Sequence, residues 1–477
     1  MNFVKLIKNK VLIYLVSRYF VYGIQFLTSI IVAAKLGAYY MGIWGFVLLL
    51  INYFSQIHLG IANALNVLLI QHNDNKEEYN EYVWNALLAN ALLILAVFLF
   101  YIYYLVIGIE DVVRYHADAY VIPICLIAIF QYYNGIFNNI FRVKNRLNCI
   151  SFCQSIVVIL PFLCLPFFEG QKLVDILVGC YFVGTLISVI YSLFKGIIPR
   201  FKISFFKYNK LLEILKKGIY LFLYNSCFAF IVISIRTIVS SNYSVDNFGK
   251  FTFAFTLANA VMMLMDAFSF IAFPKVLSAL ANKDNQEVSA VLKKYHSIYV
   301  VIANLVMYVF FLLMPVLTIL MPQYIDSIPA FNIIGLALLM NAHNFLISSF
   351  LIARNQENVS AKISAIGLVL NVFAALMLVK IFKVDYNLVA LAMLFSYFIM
   401  TYVTYRKCVK TICLSITDIF SIRMIIPYSM ALLLSIFSFY NYLWLPLLLF
   451  LLLNYRDVYS LKIVATRLLN NSNIINI

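Results

Sequence analysis

Lys35-Leu-Gly-Ala-Tyr-Tyr-Met-Gly-Ile-Trp-Gly-Phe46 closes one long apolar segment and opens the next. Asn242-Tyr-Ser-Val-Asp-Asn-Phe-Gly-Lys-Phe-Thr-Phe253 does the same 207 positions later. With Gly42 laid on Gly249, Lys10 falls on Lys217 and Asn52 on Asn259. Further along, Phe141-Arg-Val-Lys-Asn-Arg-Leu-Asn148 lines up with Leu351-Ile-Ala-Arg-Asn-Gln-Glu-Asn358 at an offset of 210. The chain therefore reads as one helical unit built twice. Internal duplication of this kind marks membrane folds whose site lies at the repeat interface.

Composition places both copies in lipid. Hydrophobic residues make up 64% of the chain and charged residues 11%, against about 25% charged in soluble domains. The net charge of +16 is topological. Lys and Arg gather in alternate loops, with no basic arm or domain that would point to nucleic acid. The eight cysteines form no CxxC pair and no Cys/His cluster, so neither a disulfide framework nor a metal site is expected. Lys5, Lys8 and Lys10 precede an apolar run from Val11 to Ala34. That run is too long for a signal-peptide core and carries Arg18, so it reads as an uncleaved first span.

At about 20 apolar residues per span, fourteen candidates lie near 11–33, 40–70, 83–108, 119–140, 149–167, 174–194, 218–240, 249–274, 295–320, 328–352, 360–381, 386–405, 421–438 and 440–453. Arg142, Lys144 and Arg146, Lys195 to Lys217, Lys275 to Lys294, Arg354 and Lys362, and Arg406 to Arg423 fall on one side. Only Lys35, Arg114, Lys172 and Lys383 fall on the other. The positive-inside rule makes the basic side cytoplasmic and puts both termini there. The expected organisation is all-α. It comprises a six-helix bundle over 1–198, a cytoplasmic linker over 199–217, a second six-helix bundle over 218–412, and two further helices with a tail over 413–477.

Standard catalytic motifs are missing. There is no GxGxxG, no HExxH and no phosphate loop ending in GK[ST], so an enzyme is not expected. The remaining signal is intramembrane polarity, which is costly in lipid and faces an interior or a cavity. The second span carries Asn52, Gln56, Asn63 and Asn66 at spacings that share one helical face. The eighth carries Thr252, Thr256, Asn259 and Asp266 in the register the repeat requires. Tyr14, Arg18, Gln25 and Ser29 stripe the first span, and Asn225 and Arg236 stand on the seventh. These stripes read either as the lining of a hydrophilic cavity or as hydrogen-bonding glue between helices. Arg18 and Asp266 both lie about eight residues inside the basic edge, roughly 12 Å deep. A buried carboxylate needs a partner or a proton, so the pair reads as a gate, with Asp266 alternatively a proton carrier. His58 and His343 read as packed hydrogen-bonding residues.

The duplicated Leu-Gly-x-x-x-x-Gly junction, the basic Asn-containing elements after the fourth and tenth spans, and Gly249-Lys-Phe-Thr-Phe-Ala-Phe-Thr-Leu-Ala258 followed by Pro274 together resemble a known family. It is that of the bacterial polysaccharide transporters, the Wzx-type O-antigen and capsule repeat-unit flippases of the multidrug/oligosaccharidyl-lipid/polysaccharide superfamily. The resemblance covers nearly the whole chain. It implies two six-helix bundles in a V around a central cavity, in the bacterial cytoplasmic (inner) membrane. It further implies movement of an undecaprenyl-pyrophosphate-linked oligosaccharide between leaflets by alternating access, coupled to H+ or Na+. By that resemblance Arg18 and Arg236 would meet the pyrophosphate, a task suited to a forked, permanently charged guanidinium. Gln25, Asn52, Gln56, Asn63, Asn225 and Asn259 would meet the sugars, and Asp266 with Arg18 would gate or couple. No cofactor is implied. Membrane lipids, a polysaccharide polymerase and a chain-length regulator are the implied partners. The few arginines on the first two spans separate the chain from lipid II flippases. A drug antiporter of the same superfamily is the alternative, and a membrane polymerase fits less well because every outer loop is short.

Overall fold

A computed structural model of the chain describes residues 10–72, 75–200, 202–282, 284–354, 356–409, 415, 420–459 and 461. For residues 10–16, 220, 221, 224, 225, 266–279, 281, 282 and 346 it describes the backbone alone. Among the described residues the secondary structure is helical, without a β-strand. Among the described residues, ten helices are long and apolar enough to cross a membrane, and four further apolar helices have 10–17 residues. The chain is an all-α polytopic membrane protein. It divides into two compact units, one spanning Ile13–Thr252 and the other comprising Phe253–Ile477 with Met1–Leu12.

The first unit begins with α1 (Lys10–Gln56), which bends at Gly37. Gly37 has φ 68° and ψ 178°, a backbone open only to glycine, so the bend separates the first expected span from the second. Next come α2 (Ile61–Gln71), α3 (Lys76–Ile107), the short α4 (Glu110–Arg114), α5 (Val121–Val143), α6 (Leu147–Cys164), α7 (Gly170–Phe194) and α8 (Tyr208–Asn242). α9 (Val245–Asn282) starts in this unit and continues into the other.

The duplicated glycines meet each other. A Cβ on Gly249 would run into the carbonyl oxygen of Ala38, and one on Gly42 into the carbonyl oxygen of Val245. Ala38 and Val245 are themselves 207 positions apart. Each repeat thus offers the same glycine to the same backbone oxygen of the other, the reciprocity of a two-fold contact. Gly45 closes on Thr252, its own equivalent, whose side chain is fully buried. Absence of side chains is what lets two helix backbones come this close.

The same pairings recur in both units. In the first, α5 packs on α3, α6 and α7, and α6 packs on α7. In the second, α11 (Ile328–Ala353) packs on α10 (Asn285–Leu320), α12 (Glu357–Leu376) and α13 (Leu391–Val409), and α12 packs on α13. The turns that end α5 and α11 also match. Arg146 N donates to Phe141 O, and Gln356 N to Leu351 O, both at 2.8 Å. Lys144 N bonds Ile140 O and Arg354 N bonds Phe350 O, at 3.0 and 3.1 Å. This is the left-handed helix stop that Asn tolerates, and Asn145 has φ 53°. α14 (Ile422–Ile436) and α15 (Trp444–Leu453) pair with each other, α14 resting on α11 and α15 on α10.

The polar connection differs from expectation, because its second half, from Tyr208, is already α8. It is bound to α3. Glu81, 2% exposed, pairs with Lys207. Asn85 donates to Phe205 O at 2.8 Å and accepts from Lys207 N at 3.3 Å. Tyr82 donates to Glu213 at 2.8 Å and accepts from Lys210 at 2.9 Å. Burial of Phe205 and Ile214 makes the first turns of α8 part of the core. At the opposite end of α8, Arg114 binds the carbonyls of Ser240, Ser241 and Tyr243, a cation placed where the helix leaves its carbonyls unpaired.

The glycine junction predicts opposite signs for one substitution type. Gly249→Ala should destabilise the purified protein by about 1–3 kcal/mol, the range for overpacking. Gly23→Ala, with nothing within 4 Å of the added methyl, should be neutral or stabilising by about 0.5–1 kcal/mol. Thermal unfolding in one detergent compares the two. Equal shifts would remove the special role of the junction.

Candidate functional site

The expected second span is two helices. α1 stops at Gln56 and α2 starts at Ile61, and between them Leu59 and Gly60 take φ of 47° and 68°. At Gly60 a side chain would collide with the backbone of Gly218 in α8, so position 60 needs glycine twice over. Apolar periodicity runs through this stretch, which is why it reads as one helix in sequence. In hydrocarbon, non-helical backbone is tolerated only where protein buries it or where it lines a cavity. Glycine-interrupted spans are the sequence pointer to a transporter site.

α5 braces the two sides of the break through hydrogen bonds to backbone carbonyls. Tyr132 Oη donates to Phe54 O at 2.8 Å, and Asn139 Nδ2 to Ala62 O at 2.9 Å. His58 Nδ1 accepts from Gly60 N at 3.1 Å, which makes His58 a turn-holding residue. Asn52, Gln56, Asn63 and Asn66 flank the break and are partly exposed. They divide between two helices rather than sharing one continuous face. Asn66 Oδ1, and Gln131 Oε1 and Asn134 Oδ1 on α5, are buried acceptors without a hydrogen bond among the described residues. Buried acceptors of this kind are unusual and call for an explanation such as water, an ion or a ligand.

The two arginines occupy different environments. Arg18, partly exposed, hydrogen-bonds Gln154 of α6 through Nη1 and lies 5.3 Å from the ring centre of Tyr22. Gln154 was not singled out in sequence, although a glutamine in an apolar span was there to be read. Arg236 is 3% exposed. Its Nη2 donates to Gly45 O at 2.8 Å and its guanidinium lies 5.9 Å from the Phe248 ring centre. Phe248 meets Tyr115, which stacks on Phe46. Nearby, Tyr53 and Thr237 share a 2.6 Å hydrogen bond. Arg18 lies roughly 28 Å along its helix from the Gly37 bend and Gly45 roughly 12 Å past it, so the two guanidinium groups stand at different depths.

Gln25 is partly exposed and its carbonyl accepts from Ser29 at 2.8 Å. Asn259, in the other unit, is also partly exposed. The side chains of Asn225 and Asp266 lie outside the described residues, and with them the expected Arg18–Asp266 pair. In the second unit His343 has company: its ring centre is 5.3 Å from that of buried His296 and it stacks on Phe420.

Residues 7–261 match the family described as polysaccharide biosynthesis protein. No curated protein gives a significant sequence match. Among solved structures, the lipid II flippase MurJ in an inward closed conformation superposes with a TM-score of 0.71 at 15% identity, covering 95% of this chain and 99% of that one. An inward-facing multidrug resistance MATE family transporter of the MOP superfamily gives 0.66 at 12% identity, covering 82% and 97%. A MOP superfamily transporter from Pyrococcus furiosus gives 0.52 at 13%, covering 84% and 95%. The chain therefore shares its fold with these transporters.

If α5 braces the broken span, Tyr132→Phe and Asn139→Leu should each lower stability by about 0.5–1.5 kcal/mol, the net worth of one hydrogen bond. Tyr133→Phe, one position away, should change it by less than about 0.5 kcal/mol. Thermal melts of the three variants decide; a Tyr133→Phe loss as large as that of Tyr132→Phe would contradict this role.

Proposed function

Because this chain belongs to the polysaccharide biosynthesis protein family, we propose that it is a flippase that moves an undecaprenyl-pyrophosphate-linked oligosaccharide across the bacterial cytoplasmic membrane. It serves assembly of a surface polysaccharide such as O-antigen or capsule, and both chain termini are cytoplasmic. The observation that carries this reading is the broken second span, with unsatisfied amides around it, in a fold shared over 95% of the chain with a lipid II flippase. A glycan brings hydroxyl donors, which are what buried amide oxygens accept.

In this reading the sugars contact Asn52, Gln56 and Asn63 near the break, with Gln25, Asn225 and Asn259 as further polar contacts. Arg18 meets the pyrophosphate. Its guanidinium bonds Gln154 of α6, and its forked, permanently charged donors suit the oxygens of a phosphate. Arg236, at 3% exposure, reaches a headgroup only when the glycine junction loosens. Transport proceeds by alternating access, and Asp266 couples it to H+ or Na+. A polymerase and a chain-length regulator act on the delivered unit. Drug antiport is the second reading, favoured by the likeness to the MATE transporter.

Flipping of a fluorescent undecaprenyl-pyrophosphate oligosaccharide in proteoliposomes tests the proposal. Arg18→Ala should lose about 10- to 150-fold in rate, the equivalent of one hydrogen bond to a charged group, and Arg18→Lys should retain part. A normal rate in Arg18→Ala at equal protein would remove Arg18 from the headgroup site. Efflux of a cationic dye without glycolipid flipping would establish the antiporter reading instead.

A further inference from the structure

Away from the broken span, the first unit holds a 410 Å³ cavity whose walls include Trp84 and Leu88 of α3, Tyr133 of α5, Val189 and Leu193 of α7, and Phe206 of the polar connection. Ligand pockets of about 300–1,000 Å³ with apolar walls hold apolar chains or small ligands. Its wall includes the edge-to-face pair Trp84 and Phe206, whose ring centres are 6.3 Å apart. Wall residues Leu193, Ile198 and Phe206 flank or belong to a strongly basic stretch. From Phe194 to Leu212 the chain carries Lys195, Arg200, Lys202, Lys207 and Lys210 and no carboxylate.

Two of these cations are already engaged. Lys207 pairs with Glu81, and Lys210 binds Tyr82 Oη. Lys195 and Lys202 are exposed, rest near the rings of Tyr191 and Phe205 at 5.2 and 5.7 Å, and form no ion pair among the described residues. Lys195 follows two residues after wall residue Leu193, and Lys202 lies between wall residues Ile198 and Phe206. An apolar slot with two exposed lysines a few residues along the chain from its wall has the polarity of one lipid molecule. The cations suit a negative headgroup and the slot suits its chain.

We propose that this cavity binds a resident anionic phospholipid, with one acyl chain in the slot and the phosphate at Lys195 and Lys202. The bound lipid fastens the polar connection to the ends of α3 and α7. It is distinct from any transported lipid, and the inference stands independently of the cargo.

Trp84 provides the probe, because the chain has only three tryptophans, Trp44, Trp84 and Trp444. In a Trp44→Phe/Trp444→Phe background, Trp84 fluorescence is followed in phosphatidylcholine vesicles doped with brominated phosphatidylglycerol or with brominated phosphatidylcholine. The glycerol lipid should quench at about tenfold lower mole fraction, as two basic contacts near a membrane surface allow. Lys195→Gln/Lys202→Gln should erase that preference, and Leu88→Phe/Val189→Phe should reduce quenching by both. Native mass spectrometry of the protein with all tryptophans retained should show one phosphatidylglycerol that the lysine variant loses, a readout that does not need the tryptophan background. Equal quenching by the two lipids, or a preference that survives loss of both lysines, would overturn the proposal. So would displacement of the glycerol lipid by equimolar undecaprenyl phosphate, which would assign the slot to the transported lipid.

Discussion

Two helix backbones in contact, with no side chain between them, set the frame of the first unit. Gly249 presses on Ala38 and Gly42 on Val245, so α1 and α9 approach more closely than any other residue pair would permit. In lipid, where apolar side chains gain nothing by leaving their surroundings, such proximity is a main source of helix association. Arg236 then bonds the carbonyl of Gly45 from a third helix, and the Phe46–Tyr115–Phe248 rings pack beside it. Arg114 ties the end of α8 beside them. Each of these contacts presupposes the glycine approach.

The broken second span extends the same logic from packing to polarity. Breaking a helix in hydrocarbon costs several kcal/mol for each polar group left unpaired. Here Tyr132 and Asn139 of α5 brace carbonyls on either side of the break, and His58 accepts from the amide of Gly60. The amide oxygens of Asn66, Gln131 and Asn134 are not answered by the described residues. Helix-to-helix bonding therefore accounts for part of the polar inventory of these helices, and three amide oxygens stand outside it.

Sequence reading reached the elements whose signal is local and repeated. Helices cover the expected positions among the described residues, ten of them long and apolar enough to cross a membrane, and the Phe141–Arg146 and Leu351–Gln356 turns share their hydrogen bonds, because such a helix stop is written in a few adjacent residues. The break at 57–60 was hidden. Ile57 and Leu59 continue the apolar pattern, and only Gly60, made necessary by Gly218 far along the chain, betrays it. The Gln154 partner of Arg18 and the α5 donors are likewise tertiary facts, invisible to periodicity within one span. The Lys207–Glu81 pair joins the polar connection to a helix more than a hundred residues earlier, beyond any local rule.

Gly45 and Thr252 sit at equivalent places and touch each other. On a true symmetry axis both positions would have to be the same residue. Two threonines there would collide, and two glycines would leave a hole. A dimer of identical half-length chains therefore cannot reach this packing, whereas one continuous chain can place a small residue on one side and a filling residue on the other. Fusion of the halves is thus more than a tether: it permits the two copies to diverge where they meet, and the close fit at the centre of the junction is a product of that freedom.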